Sequence, residues 1–248
     1  MEFDPFAQNY VGAVEAAAGV PVEKLAGEKG RLVRRVLSQT LGSSANLRVL
    51  DLGCGIGLID RELEHGVGEL VGADVSLRSL QLAGARAPKT RFLQYDGTRL
   101  PFVGETFDAV FASCVLHHVP PPARPDFLAE MLRVLRRGGI ALVIEHNPRN
   151  PVTRHVVSRC AFDADAVLLT CRETVGLLDS GGATVAGRRY IGFLPFRHAA
   201  VEHAERALGW LPAGAQYCVW GRKRGGASRR ARTPSHDMAK NISPAPFD

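Results

Sequence analysis

Val49-Leu50-Asp51-Leu52-Gly53-Cys54-Gly55-Ile56-Gly57 sets an apolar strand, a carboxylate and three alternate glycines in immediate succession. Val49, Leu50 and Leu52 suit a strand buried in a parallel sheet, and glycines at alternate positions let the backbone turn tightly and pass within contact distance of a ligand. The stretch predicts a nucleotide-binding turn, with the free N–H groups of the following helix at the ligand. Its spacing is Gly-x-Gly-x-Gly, with Leu58 where a dinucleotide-binding fingerprint carries its third glycine, so it fits a pyrophosphate cradle poorly. Asp51 precedes the glycines, and a carboxylate there repels a pyrophosphate but suits a cationic, ammonium-bearing ligand.

The next apolar strand ends in Leu70-Val71-Gly72-Ala73-Asp74-Val75-Ser76, which puts Asp74 nineteen positions after Gly55. That is about the distance at which a βαβ unit presents an acid to ribose hydroxyls. A third strand over Arg91 to Tyr95 leads to Asp96-Gly97, a fourth runs from Phe107 to Ser113, and Leu135-Arg136-Arg137-Gly138-Gly139 leads into Ile140-Ala141-Leu142. With these motifs in this order, residues 48 to 148 resemble the class I S-adenosylmethionine-dependent methyltransferases, in particular the small-molecule branch similar to the ubiquinone and menaquinone methyltransferases.

The resemblance implies a cofactor, S-adenosyl-L-methionine, and a set of residues to hold it. Asp51, Gly53, Cys54 and Gly55 correspond to the turn around its methionine part. Asp74, with Val75 beside it, corresponds to the ribose acid, Asp96 and Gly97 to the turn at the adenine amino group, and Ser113 to the end of the fourth strand. It also implies an α/β fold: a doubly wound, Rossmann-like sheet of seven strands in the order 3-2-1-4-5-7-6, with the last strand antiparallel and helices on both faces. Alternating strand and helix patterns through the middle of the chain agree with it.

Composition fits one domain with additions: 248 residues, 46% hydrophobic and 23% charged, can bury a sizeable core. The start has no basic-then-apolar leader pattern and no apolar run approaches the roughly 20 residues that cross a bilayer, so the expectation is a soluble cytoplasmic protein. Five scattered cysteines without a Cys-x-x-Cys pair suggest free thiols. The net charge of +6 lies mostly at the end of the chain, where seven basic residues from Arg222 onward face only Asp237 and Asp248. The remaining body is close to neutral, so no nucleic-acid partner is expected. The tail, residues 224–248, reads as a disordered basic terminus, with weak contact to an anionic membrane surface as the sharper alternative.

Residues 1–45 read as an N-terminal lid and helix, with the helix over Val22 to Leu41, and residues 46–223 as the main domain. Phe3, Phe6 and Tyr10 dock the first segment, and the resemblance implies that Tyr10 lies at the pocket mouth. Further helices are expected from Leu77 to Ala87 and after the fourth strand, the latter ending at Gly138-Gly139. Thr170-Cys171-Arg172-Glu173 reads as a capping box that opens a helix to about Leu178. A strand from Thr184 to Phe193, a helix near His198 to Leu208 and a strand from Ala215 to Gly221 close the chain.

Ligands of open α/β sheets sit beyond the carboxyl ends of the strands. His117, His118 and His146 lie at the ends of the fourth and fifth strands, where an imidazole near its ordinary pKa of about 6.5 can remove a proton from an acceptor. The bland alternative is histidine that packs at a helix start. Methyl transfer need not use a base at all, since positioning alone supplies several kcal/mol, up to roughly 7–11 in intramolecular systems. A cap over residues 147–169 carries Arg149, Arg154 and Arg159, which suit a phosphate or carboxylate and hence a glycan, sugar-phosphate or lipid-linked acceptor. Asp163 and Asp165 neutralise those arginines in the alternative reading. With His155 they match no recognised metal spacing, and no metal is expected. Besides a small-molecule methyltransferase, two readings stay open: a non-catalytic interaction module of the same fold, and a nicotinamide-dependent oxidoreductase, against which Asp51 and Leu58 argue.

Overall fold

The computed structural model describes residues 4–193 and 207–225. Two helices come first, α1 (Tyr10–Ala18) and α2 (Val22–Leu41), followed by β1 (Arg48–Leu52) and α3 (Leu58–Leu63). Then come β2 (Glu69–Asp74), α4 (Leu77–Arg86), β3 (Arg91–Gln94), β4 (Phe107–Ser113), α5 (Arg124–Val134) and β5 (Leu135–His146). The cap helix α6 (Pro151–Arg159), α7 (Cys171–Ser180), β6 (Ala183–Ile191) and β7 (Gln216–Lys223) complete the order. The sheet runs β3-β2-β1-β4-β5-β7-β6. Strand β7 pairs antiparallel with both β5 and β6, and the pairings among β1 to β5 are parallel.

Side chains alternate across the strands, and both faces of the sheet are covered. Leu50, Leu52, Val110, Ala112, Ala141 and Val143 face a core closed by Phe127, Leu128 and Met131 of α5 and Leu178 of α7. Val49, Ala109, Phe111, Ile140 and Leu142 face the other way, onto Val33, Val36 and Leu37 of α2 and Leu63 of α3. Helix α2 has the expected bounds, Val22–Leu41. The capping box of α7 is formed in both directions, the Thr170 side chain accepting from Glu173 N–H and the Glu173 carboxylate from Thr170 N–H.

Two expected helix ends change. The helix after β4 ends at Val134, before Gly138-Gly139, because Leu135 already pairs with Phe107 and the chain enters the sheet there; a bulge between Phe107 and Ala109 absorbs the Gly138 turn. Helix α4 stops at Arg86, one residue short of the expected end. The helix expected near His198 falls largely outside the described residues, as do Phe3 and nearly all of the basic tail. Among the described residues, no helix is long and apolar enough to cross a membrane.

Candidate active site

The glycine turn after β1 is left-handed three times, with φ 82° at Gly53, 55° at Gly55 and 74° at Gly57. A side chain is costly at such angles, and a Cβ on Gly53 would also lie 2.4 Å from Val115 Cγ2. At Gly55 nothing stands within 4 Å of the corresponding Cβ position, so the backbone is bare toward the cavity. Asp74, at the end of β2, accepts from Gly55 N–H at 2.7 Å and from Ser76 N–H at 2.8 Å, which ties the second strand to the turn.

A cavity of about 680 Å³ opens beyond these strand ends. Of the residues expected to bind cofactor, Asp51, Gly53, Cys54, Gly55, Asp74, Val75, Gly97 and Ser113 line it. Asp96 does not. It is exposed, and its Oδ1 accepts from Thr98 N–H, Thr98 Oγ1 and Arg99 N–H, so the acid closes its own turn, and these bonds hold its pKa down at about 2. Tyr95 and Gly97 face the cavity on either side of it.

Asp51 is 2% exposed and its Oδ1 has no hydrogen-bond partner; Ser113 Oγ is likewise buried without one. Burial, with Asp60 and Asp74 nearby, raises the Asp51 pKa well above the carboxylate range, against the pull of Lys29. Asp60, fully buried behind it and outside the cavity lining, is pushed up to about 7 by burial. Asp51 and Asp74 thus line the cavity as carboxyl groups, and the Asp51 and Ser113 oxygens left without partners among the described residues fit a ligand bearing an ammonium group.

On the opposite wall, His117, His118 and His146 all line the cavity. Their loop is held from three sides. Glu145, fully buried, accepts from Val115 N–H (2.9 Å) and Leu116 N–H (2.7 Å) and meets His117 Nδ1 at 2.6 Å. The buried Arg124 donates to the carbonyls of Leu116 and Val119, and Val167 N–H donates to the His117 carbonyl at 2.8 Å. Asp163 Oδ1 lies 3.4 Å from both His117 Nε2 and His118 Nε2. Burial opposes charge on His117, but Glu145 and Asp163 overcome it and raise its pKa to about 10. These two carboxylates thus favour the imidazolium form of His117, the form that holds a proton and does not accept one.

The cap arrives by backbone anchoring. Asn150 caps α6 by accepting from Thr153 N–H at 3.0 Å and donates to Ala213 O at 2.7 Å, while Thr153 Oγ1 donates to Ala215 O at 2.8 Å. This turns Val152, Thr153, Val156 and Cys160 toward the cavity. Arg149, Arg154 and Arg159 are exposed and do not line it, so the phosphate cradle expected from them is absent from this arrangement. Asp163 pairs with the histidines, not with those arginines. Tyr10 lines the cavity: its ring meets Phe162 edge-on at 5.3 Å, and Phe162 meets His118 at 4.9 Å.

Lys29, Cys114 and Gln216 escape sequence reasoning. Lys29 Nζ donates to Cys114 Sγ at 3.1 Å from α2, and Gln216 Nε2 does so at 3.3 Å from β7. Cys114 adopts φ 59° at the end of β4, and although burial works against its thiolate, Lys29 and His146 lower its pKa to about 6. Burial raises the other four thiols, Cys54, Cys160, Cys171 and Cys218. Iodoacetamide at neutral pH is expected to modify Cys114 first, with a rate midpoint near pH 6 that Lys29→Met moves upward. Peptide mapping over a pH series checks this; a labelling pattern dominated by another cysteine would count against it.

Residues 49–139 match the methyltransferase domain family. The chain is 39% identical over 115 residues to a demethylmenaquinone methyltransferase from Beutenbergia cavernae, covering 46% of this chain and 47% of that protein. It is 34% identical over 148 residues to a ubiquinone/menaquinone biosynthesis C-methyltransferase from Ectopseudomonas mendocina, covering 56% and 57%. The chain thus spans about half the length of the curated relatives it matches. An S-adenosylmethionine-dependent methyltransferase from Mesorhizobium loti, 25% identical, superposes with a TM-score of 0.56 over 76% of this chain and 96% of that one.

Proposed function

We propose that this chain, whose residues 49–139 match the methyltransferase domain family and whose sheet has the order β3-β2-β1-β4-β5-β7-β6, is a class I S-adenosylmethionine-dependent methyltransferase that methylates a small apolar acceptor bearing an oxygen or activated carbon. The observation that carries this reading is the wall formed by Gly53, Gly55, Asp51, Asp74 and Ser113 around one cavity, with a bare glycine backbone and unpaired buried acceptors at Asp51 and Ser113. A nicotinamide cofactor would bring a pyrophosphate, which needs N–H donors, to a turn whose Gly55 N–H is already held by Asp74.

When bound, S-adenosylmethionine supplies an activated methyl group on a sulfonium, with a neutral thioether as the leaving group. The chain's residues then act chiefly by placement. Asp51 and Ser113 accept from the amino end of the ligand, and Asp74 from the ribose hydroxyls. Tyr10 and Phe162 close the mouth and restrict water, and the rigid loop at His117 orients the acceptor.

For the acceptor, the cap wall favours an apolar molecule. Val152, Val156, Phe162, Val119, Ile191 and Phe193 surround it, whereas the arginines that suit a sugar phosphate lie outside. The named activities of the curated relatives, on quinone precursors, fit such a wall. Titration calorimetry tests the reading. S-adenosylmethionine is expected to bind one to one, and Asp74→Ala to weaken it by about 100-fold, from the loss of charge-assisted hydrogen bonds of roughly 1.5–3 kcal/mol. A folded wild-type chain that gives no binding heat would sink it; binding without methylation of any quinone-type acceptor or cell-extract component would favour an interaction module.

A further inference from the structure

We propose that His117 Nε2, His118 Nε2 and the Asp163 carboxylate form a binding site for a borderline divalent cation such as Zn²⁺ or Co²⁺, on the acceptor wall of the cavity. The three ligand atoms lie within 4.8 Å of one another. Both histidine-to-Asp163 separations are 3.4 Å. Ligands bound at about 2.1 Å to one ion are separated by about 3.0–3.4 Å for angles between octahedral and tetrahedral.

The chemistry of the set points the same way. His117 is 1% exposed, and its Nδ1 is committed to Glu145 at 2.6 Å, which directs Nε2 toward Asp163. That Nε2 faces the Asp163 carboxylate at 3.4 Å and has no well-directed hydrogen bond among the described residues. A divalent cation would take the place of the proton that lies between this nitrogen and the Asp163 carboxylate in the metal-free protein. The carboxylate behind a ligating imidazole is the usual second partner of a metal-bound histidine, and Glu145 fills that position, itself fixed by two backbone N–H groups. Two imidazoles and one carboxylate suit Zn²⁺, Co²⁺ or Fe²⁺ better than Mg²⁺ or Ca²⁺. Three protein ligands leave coordination positions open, and all three residues line the cavity, so those positions face it.

The ligands are separated in the sequence by α5, β5 and α6, so no spacing rule announces them, and the expectation of no metal is revised here. The site does not depend on methyl transfer. The test uses the 248-residue chain without an added histidine tag, stripped with a chelator and free of S-adenosylmethionine. Added Co²⁺ is expected to give one equivalent of visible d–d absorption, and Zn²⁺ a one-to-one calorimetric isotherm that displaces it. His118→Ala and Asp163→Ala are each expected to weaken Co²⁺ binding by about 100-fold or more, and Glu145→Gln by about 10- to 100-fold. Circular dichroism verifies that each variant is folded, with His118→Gln and Asp163→Asn as substitutes where one is not. A folded wild-type chain with no Co²⁺ spectrum and no Zn²⁺ heat overturns the proposal, as does unchanged affinity in the His118 and Asp163 variants. Titrating S-adenosylmethionine into the metal-free protein reads the methyltransferase proposal separately, so either can fail alone.

Discussion

Glu145→Ala is expected to lower the unfolding free energy by about 3–5 kcal/mol, the usual result of removing one partner from a buried charge pair. The carboxylate is fully buried and serves Val115 N–H, Leu116 N–H and His117 Nδ1, so alanine leaves all three without an acceptor in a space closed to solvent. Glu145→Gln separates charge from shape. It still accepts from the backbone but no longer stabilises an imidazolium, so pH dependence reports the difference. His117 has a folded-state pKa of about 10 against 6.5 in the open chain, a raised value. Its contribution is therefore fully present below pH 6.5 and is lost as the pH rises through about 10. In the chelator-treated protein, the stability gap between wild type and Glu145→Gln is expected to shrink across that window. Urea unfolding at about pH 6 and about pH 10 measures the gap; a gap of the same size at both would exclude this role for the pair.

Gly53→Ala is expected to weaken S-adenosylmethionine binding by about 100-fold or more while leaving the fold in place. Two costs combine: φ 82°, which alanine adopts poorly, and a Cβ 2.4 Å from Val115 Cγ2. Val115 cannot easily retreat, because its N–H is bonded to Glu145. The strain is instead relieved by moving the turn that lines the ligand wall. Gly84→Ala is the matched control. That glycine is exposed within α4, with nothing within 4 Å of the new methyl, so alanine there is expected to raise stability by about 0.5–1 kcal/mol and leave binding unchanged. Calorimetry and thermal unfolding of both variants check the contrast, and equal binding by Gly53→Ala and wild type would show that the turn does not shape the ligand wall.

The glycine turn and the capping box of α7 were legible in the chain because their causes are local, positive φ at glycine and a Thr and Glu three positions apart, whereas the strand order followed from the resemblance that the series of motifs carries. Asp51, Gly53, Gly55 and Asp74 reach the cavity wall for the same reason, each lying at the end of a strand whose direction in the sheet is given by the βαβ pattern. The cap resisted this reasoning. Arginines at 149, 154 and 159 and aspartates at 163 and 165 have no period that says which faces inward, and the answer came from Asn150 and Thr153 bonding to the backbone before β7. Likewise Lys29 lowers the Cys114 thiol from 85 positions away, and Glu145 and Asp163 reach His117 from 28 and 46 positions further along the chain. The sequence by itself determined the ligand-facing turn, through backbone stereochemistry that the short segment carries alone, and the sheet order through the resemblance that its series of motifs carries. Only the tertiary structure decided the charge of His117 and Cys114 and the convergence of His117, His118 and Asp163, because burial and electrostatics depend on which distant groups packing brings within a few ångströms.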